Sequence, residues 1–88
     1  MRIVRVTAVW CTSCLLMKKR WKKAFEELKQ FDILDYDFDE DLEEMEALQI
    51  GHILPVVIVY DVSGLEKERM IGEKSVKEII STLGKYLK

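Results

Sequence analysis

Ile3-Val4-Arg5-Val6-Thr7-Ala8-Val9-Trp10-Cys11-Thr12-Ser13-Cys14 is the stretch that decides the architecture, because its apolar period changes midway. From Ile3 to Val9 the chain is largely β-branched. Val4, Val6 and Ala8 are wholly apolar while the alternate set holds Arg5 and Thr7, the pattern of a strand buried on both faces. From Thr12 to Gln30 the period becomes helical: Cys14, Met17, Trp21, Ala24, Phe25 and Leu28 recur at three and four residues. Lys18, Lys19, Lys22 and Lys23 lie opposite. An amphipathic helix is predicted, with two thiols one turn apart where the strand gives way to it.

Further along, Leu34, Tyr36 and Phe38 alternate with Asp35 and Asp37, which predicts a strand from Ile33 to Phe38 with one buried face and suits a sheet edge. Asp39 to Ile50 opens on acids, carries Leu42, Met45 and Leu48 and meets Gly51, so a second helix stopping at that glycine is expected. Val56 to Tyr60 is an unbroken β-branched run after Pro55, as in a central strand. Ser63-Gly64 supplies a turn and Leu65 to Ile71, mixed and charged, returns as an edge strand. Ser75 with Glu78 forms a capping box, and Val76, Ile79, Ile80, Leu83 and Leu87 stripe a last helix. The order is βαβαββα. Two strands joined through a helix run parallel and the hairpin adds antiparallel ones, giving an α/β fold: a four-stranded mixed sheet flanked by three helices.

Eighty-eight residues support one core, so residues 1–88 form a single domain. The net charge of −2 conceals segregation. Residues 1–30 hold eight Lys or Arg against two Glu, residues 31–50 hold nine acids and no base, and the remainder is nearly balanced. Acids exceed bases overall and no basic-aromatic strand motif occurs, so a nucleic-acid partner is not expected. The basic cluster Lys18, Lys19, Arg20, Lys22 and Lys23 is read as the solvated face of its helix. The first ten residues lack the apolar run and cleavage site of a signal peptide, and no run approaches the roughly 18 residues of a membrane span. A cytoplasmic, monomeric protein without membrane attachment is expected. Only two cysteines occur, too few for a multi-bridge framework.

Their chemistry follows from their place. Cys11 falls at a helix N-terminus, where unpaired N–H groups and the dipole favour a thiolate, the species that attacks disulfides. Cys14, a turn inside, is near enough to close a bridge and resolve a mixed disulfide. A structural zinc site needs four ligands, and His52 is the only other imidazole or thiol, so no metal is expected. Thr12 and Ser13 are candidate helix caps.

Trp10-Cys11-Thr12-Ser13-Cys14 between strand and helix, Ile53-Leu54-Pro55 before an apolar strand and Gly72 before the last helix together resemble the thioredoxin superfamily, over essentially the whole chain. The resemblance implies a minimal thioredoxin-like fold and a thiol-disulfide oxidoreductase, most simply a cytosolic reductant. Catalysis falls to Cys11 and Cys14, and Trp10, Thr12, Ser13, Leu54 and Pro55 face the substrate. It implies a cis Pro55 opposite the dithiol, a Leu54 backbone that pairs with substrate peptide, a disulfide-containing protein as substrate, a separate reductase and no bound cofactor. Three departures stand out. Thr12-Ser13 is neither the Gly-Pro of typical thioredoxins nor the Pro-Tyr of typical glutaredoxins, and Ile71-Gly72-Glu73-Lys74 keeps only part of the segment with which glutaredoxins hold glutathione. Arg5 stands where thioredoxins usually bury an acid beneath the second cysteine, and it is expected to carry its head out to water. Two alternatives share the motif: a copper-chaperone-like metal carrier, and a thioredoxin-fold interaction module that binds without turnover.

Overall fold

The computed structural model describes residues 1–28 and 31–86. Its elements run β1 (Arg2–Thr7), α1 (Thr12–Glu27), β2 (Asp32–Asp37), α2 (Leu42–Ala47), β3 (Val56–Tyr60), β4 (Glu66–Ile71) and α3 (Val76–Gly84). β1 lies parallel to β2 and antiparallel to β3, which lies antiparallel to β4, so the sheet order is β2-β1-β3-β4. This is the expected βαβαββα mixed sheet, with the two buried strands central and the two charged strands at the edges. Gln30 and Leu87, placed by the sequence reading in α1 and α3, lie outside the described residues.

Strand alternation divides the core in two. Ile3, Val57 and Val59 point to the side covered by α1 and α3, where they pack with Met17, Trp21, Ala24, Leu28, Ile79 and Leu83. Val4, Val6, Ala8, Val56 and Ile58 point to the other side and cluster with Met45, Leu54 and both cysteines. The stripes of α1 and α3 supply the first cluster because residues three and four apart share one helix face. Ser75 starts α3 as expected: its hydroxyl accepts the Glu78 N–H and the Glu78 carboxylate accepts the Ser75 N–H.

α2 departs from expectation. It covers six residues, and it stops before Gly51 because Gln49 takes the left-handed conformation at φ 56°. The Gln49 N–H then reaches Glu46 O at 3.1 Å and the Ile50 N–H reaches Met45 O at 3.0 Å, the paired bonds that close a helix C-terminus in a Schellman motif. Ile50 and Met45 pack in one cluster, which explains why an amide residue accepts the strained position ahead of the nearby glycine. The first acids form no helical turn either. The Asp37 carboxylate accepts the N–H groups of Asp39 and Glu40, and the Asp41 carboxylate accepts that of Asp37, which makes a turn of this segment.

With so short a helix above it, β2 is only partly covered. Leu34 remains exposed, and a cleft of about 650 Å³ opens between α2 and the sheet, lined by Val4, Leu34, Tyr36, Leu48 and Tyr60. Met1, Arg2 and Gly64 also line it, which places it at the end of β1 remote from Cys11.

Candidate active site

β1 ends at Thr7, and the Cys11 N–H turns back to Ala8 O at 3.1 Å, so the chain leaves the sheet and starts α1 within a few residues. Cys11 is the N-cap, with extended backbone (φ −88°, ψ 111°), and its sulfur accepts the Cys14 N–H at 3.2 Å. Helix caps usually use a side-chain oxygen for this bond; here the sulfur takes that place. Thr12 and Ser13 are therefore not the cap. Thr12 is the first helical residue and exposed, and Ser13 turns its hydroxyl away to donate to Glu73 Oε2 at 2.7 Å.

The two thiols are not equivalent. Cys14 is 1% exposed, and its pKa is pushed up from 9.0 to about 11, first by burial and then by its hydrogen bond with Cys11. A backbone hydrogen bond at Ala8 and the charge of Lys18 act the other way. Cys11 carries the sulfur that meets a helical N–H, and the dipole of a 16-residue helix favours negative charge at that end. The arrangement suits one sulfur to attack and the other to wait as a thiol.

The Leu54-Pro55 bond is cis, and Leu54 packs in one cluster with both cysteines. Pro55 is fully buried, and its carbonyl accepts the Gly72 N–H at 2.8 Å. Gly72 has φ +83°, and a Cβ there would meet Ile53 Cγ2 at 3.6 Å, so its backbone conformation rather than lack of space calls for glycine. The Leu54 side chain is buried with the cysteines, whereas its N–H and C=O have no hydrogen-bond partner among the described residues. Leu54 thus offers backbone, and the exposed apolar side chain beside it is Ile53, which the sequence reading passed over although it belongs to the same tripeptide. Trp10 is exposed, meets Phe38 edge-on with ring centroids 5.9 Å apart, and donates its indole N–H to Asp39 Oδ2 at 2.7 Å. Trp10 and Ile53 give the dithiol an apolar rim. The sequence marks Asp39 as the acidic start of a helix and Glu73 as part of the segment before α3, but not their hydrogen bonds to the motif, because each is remote from it along the chain. His52, the remaining ligand-type side chain of this loop, is exposed.

Arg5 does not carry its head out to free water. Its guanidinium forms two hydrogen bonds with the Asp35 carboxylate, at 2.7 and 2.8 Å, and lies over the rings of Trp21 and Phe25 at 5.1 and 5.7 Å. The register that sets Arg5 beside Asp35 on β2 makes the fork-to-carboxylate pairing available, and the two rings add a cation–π contact. This cation is thereby occupied on the α1 side of the sheet.

Among the described residues no group of three or more His, Cys, Asp or Glu is arranged to hold a metal ion, and no helix is long and apolar enough to cross a membrane. A search of curated protein sequences finds no match. Solved structures are more informative about the fold. Thioredoxin 1 from the thermophilic eubacterium Thermosipho africanus superposes with a TM-score of 0.83 at 24% identity, over 99% of this chain and 94% of that one. Thioredoxin from Trypanosoma brucei brucei superposes with a TM-score of 0.87 at 22% identity, over 98% of this chain and 74% of that one. A chloroplastic thioredoxin z gives 0.80 at 25% identity, over 96% and 75%. The thioredoxin family model matches residues 1–85, taking in both cysteines, Pro55 and Gly72. With its minimal four-stranded sheet and its paired cysteines, the chain belongs to the thioredoxin family.

Proposed function

We propose that the protein is a thiol-disulfide oxidoreductase that reduces disulfides in other proteins, as a cytosolic reductant. The observation that carries this reading is the Cys11 sulfur at the N-cap of α1, accepting the Cys14 N–H, with the protonated Cys14 thiol beside it. Cys11 attacks one sulfur of the substrate disulfide as a thiolate. A Cys11–substrate bond forms, the substrate disulfide breaks, and its second sulfur leaves as a thiolate that takes a proton from water. Cys14 then gives its proton to water and attacks Cys11 as a thiolate, which closes the Cys11–Cys14 bridge, breaks the Cys11–substrate bond and releases the other substrate sulfur as a thiolate that takes a proton from water. Two electrons pass from the dithiol to the substrate, which leaves as two thiols.

The second step is helped by the first. The hydrogen bond and charge of Cys11 both raise the Cys14 pKa, and both vanish once Cys11 is tied up in a mixed disulfide, leaving burial as the main brake. The free Leu54 backbone and the Trp10 and Ile53 rim supply a place for a substrate segment to lie. The electrons reside in the sulfurs, so the chemistry calls for no bound cofactor, only a separate reductase to restore the dithiol. A chain with two cysteines, both in this motif, keeps none for a structural bridge, which accords with work in a reducing compartment.

The test is the reduction potential of the Cys11–Cys14 couple in metal-free glutathione buffers, paired with a Cys14→Ser trap. A reversible intramolecular disulfide is expected, with a potential between roughly −270 mV, as in thioredoxin, and roughly −200 mV, as in glutaredoxins. The Cys14→Ser variant should accumulate mixed disulfides through Cys11. A couple near roughly −120 mV would make the protein an oxidant, and failure to form a reversible bridge would overturn the redox reading.

A further inference from the structure

Two carboxylates bracket the dithiol, and each is tied to a residue of the motif. Trp10, immediately before Cys11, donates its indole N–H to Asp39 at 2.7 Å; Ser13, immediately before Cys14, donates its hydroxyl to Glu73 at 2.7 Å. Asp39 comes from the turn after β2 and Glu73 from the turn before α3, so the fold brings them to the motif from separate places. Both residues are exposed, and among the described residues neither they nor the adjoining Glu40 form an ion pair with a lysine or arginine.

The Glu73 side is also fixed in place. The Gly72 N–H is bonded to Pro55 O, the Lys74 N–H reaches Met17 Sδ at 3.4 Å, and Arg20 donates to Lys74 O at 3.0 Å. Glu73 therefore sits in a loop pinned to α1 and to the segment facing the dithiol. On the other side, hydrogen bonds from Asp39 and Glu40 to the Asp37 carboxylate hold the turn that presents Asp39. The lysines of α1 begin at Lys18, a turn beyond Cys14. A segment lying across Trp10 and Ile53 with its cysteine at Cys11 would meet negative charge at both flanks.

We propose that the disulfide-bearing segment taken by this site carries basic side chains, Lys or Arg, on both sides of the attacked cysteine, one toward Asp39 and Glu40 and the other toward Glu73. The proposal rests on the reading of the chain as a disulfide reductase and names its substrate class. Held, unpaired carboxylates attract such a segment and repel an acidic one, which acts mainly on encounter and on choice of partner.

The test uses short peptides whose single cysteine is capped as a 2-pyridyl disulfide and flanked on both sides by Lys, Ala or Glu. Attack by Cys11 joins its sulfur to the peptide and releases pyridine-2-thione, whose absorbance reports the rate. At low ionic strength the Lys-flanked peptide should react about tenfold faster than the Glu-flanked one, and 1 M salt should compress that ratio toward unity. The Asp39→Asn/Glu73→Gln variant keeps both side chains able to accept hydrogen bonds and should lose most of the ratio. Glu43→Gln/Glu46→Gln, on the exposed side of α2, removes the same charge from the molecule and should keep it. Equal rates for all peptides, or a ratio that follows net charge wherever it is removed, would overturn the proposal while disulfide reduction stands. No reaction with any peptide or with free dipyridyl disulfide would overturn the reductase reading together with it.

Discussion

The two faces of the sheet use burial differently. On one side α1 and α3 close over Ile3, Val57 and Val59, and the filling is Met17, Trp21, Ile79 and Leu83, a cluster with no thiol in it. On the other Val4, Val6 and Ile58 are buried with both cysteines and Leu54, but the six-residue α2 leaves Leu34 of β2 exposed and a cleft opens beside it. The first face is built to hold the fold. The second spends part of its burial on chemistry, since desolvation is the largest cause of the raised Cys14 pKa.

Leu83→Ala is the strongest way to break that division of labour. Leu83 is fully buried where α3 meets the rest of its cluster, so the change should cost about 3 kcal/mol, somewhat over a hundredfold in the folding equilibrium, by urea denaturation. The potential of the cysteine couple should stay where it was; a shift would mean that the two faces are energetically one. Next in size comes the titration of Cys14. A rise from 9.0 to about 11 leaves roughly a hundredth of the ordinary thiolate fraction at pH 8, so iodoacetamide should modify Cys11 well before Cys14. The folded chain holds this proton more tightly than the unfolded one, so the stabilisation is complete below pH 9 and is lost as pH rises through 11. In Cys11→Ser the Cys14 midpoint should fall below 11 yet stay above 9, because burial remains when the neighbouring sulfur is gone.

Met45→Ala probes the other face. Met45 is the buried residue of α2, but the nearby cleft lets the site relax, so the loss should lie near the low end for such truncations, about 2 kcal/mol. Here the chemistry should move as well. Met45 and both sulfurs belong to one cluster, and admitting water there should lower the Cys14 midpoint in a pH series of alkylation rates. An unchanged midpoint would show that α2 contributes nothing to desolvating the thiol.

What was legible in the sequence follows the same boundary. The strands and helices that build the well-covered face announced themselves by period, because Met17, Trp21 and Ala24, or Ile79 and Leu83, have one environment each. So did the sulfurs, since two thiols across a strand-to-helix junction are a local pattern. Period does not carry two interactions that join distant segments, nor one local choice of backbone conformation. Ser13 has the sequence context of a cap, and nothing local says that Glu73 will stand within reach of its hydroxyl. Arg5 looks bound for solvent in the sequence because its partner Asp35 is fixed only by strand register. The second helix is shorter than its acids and apolar period suggest, because the Asp37 and Asp41 carboxylates make a turn of its expected start and a left-handed Gln49, selected by the packing of Ile50 with Met45, ends it without a glycine-like signal.

Ser75→Ala has the smallest expected effect and sharpens the comparison most finely. It removes the hydroxyl that accepts the Glu78 N–H and so breaks one half of the capping box, a loss of about 1 kcal/mol, roughly fivefold in the folding equilibrium. Ser75 lies two residues beyond Glu73, but the loop between them is anchored independently by Gly72 to Pro55 and by Lys74 to Met17 and Arg20. If those anchors hold, fraying the start of α3 should leave the Ser13–Glu73 hydrogen bond in place, and the rate of Cys11 alkylation should be that of the parent protein. A changed rate at equal folded fraction would mean that the helix start, and not the loop's own hydrogen bonds, positions the carboxylate beside the motif. In that case the well-covered face would reach the dithiol through α3, and the separation between a face that holds the fold and one that does the chemistry would fail at this point.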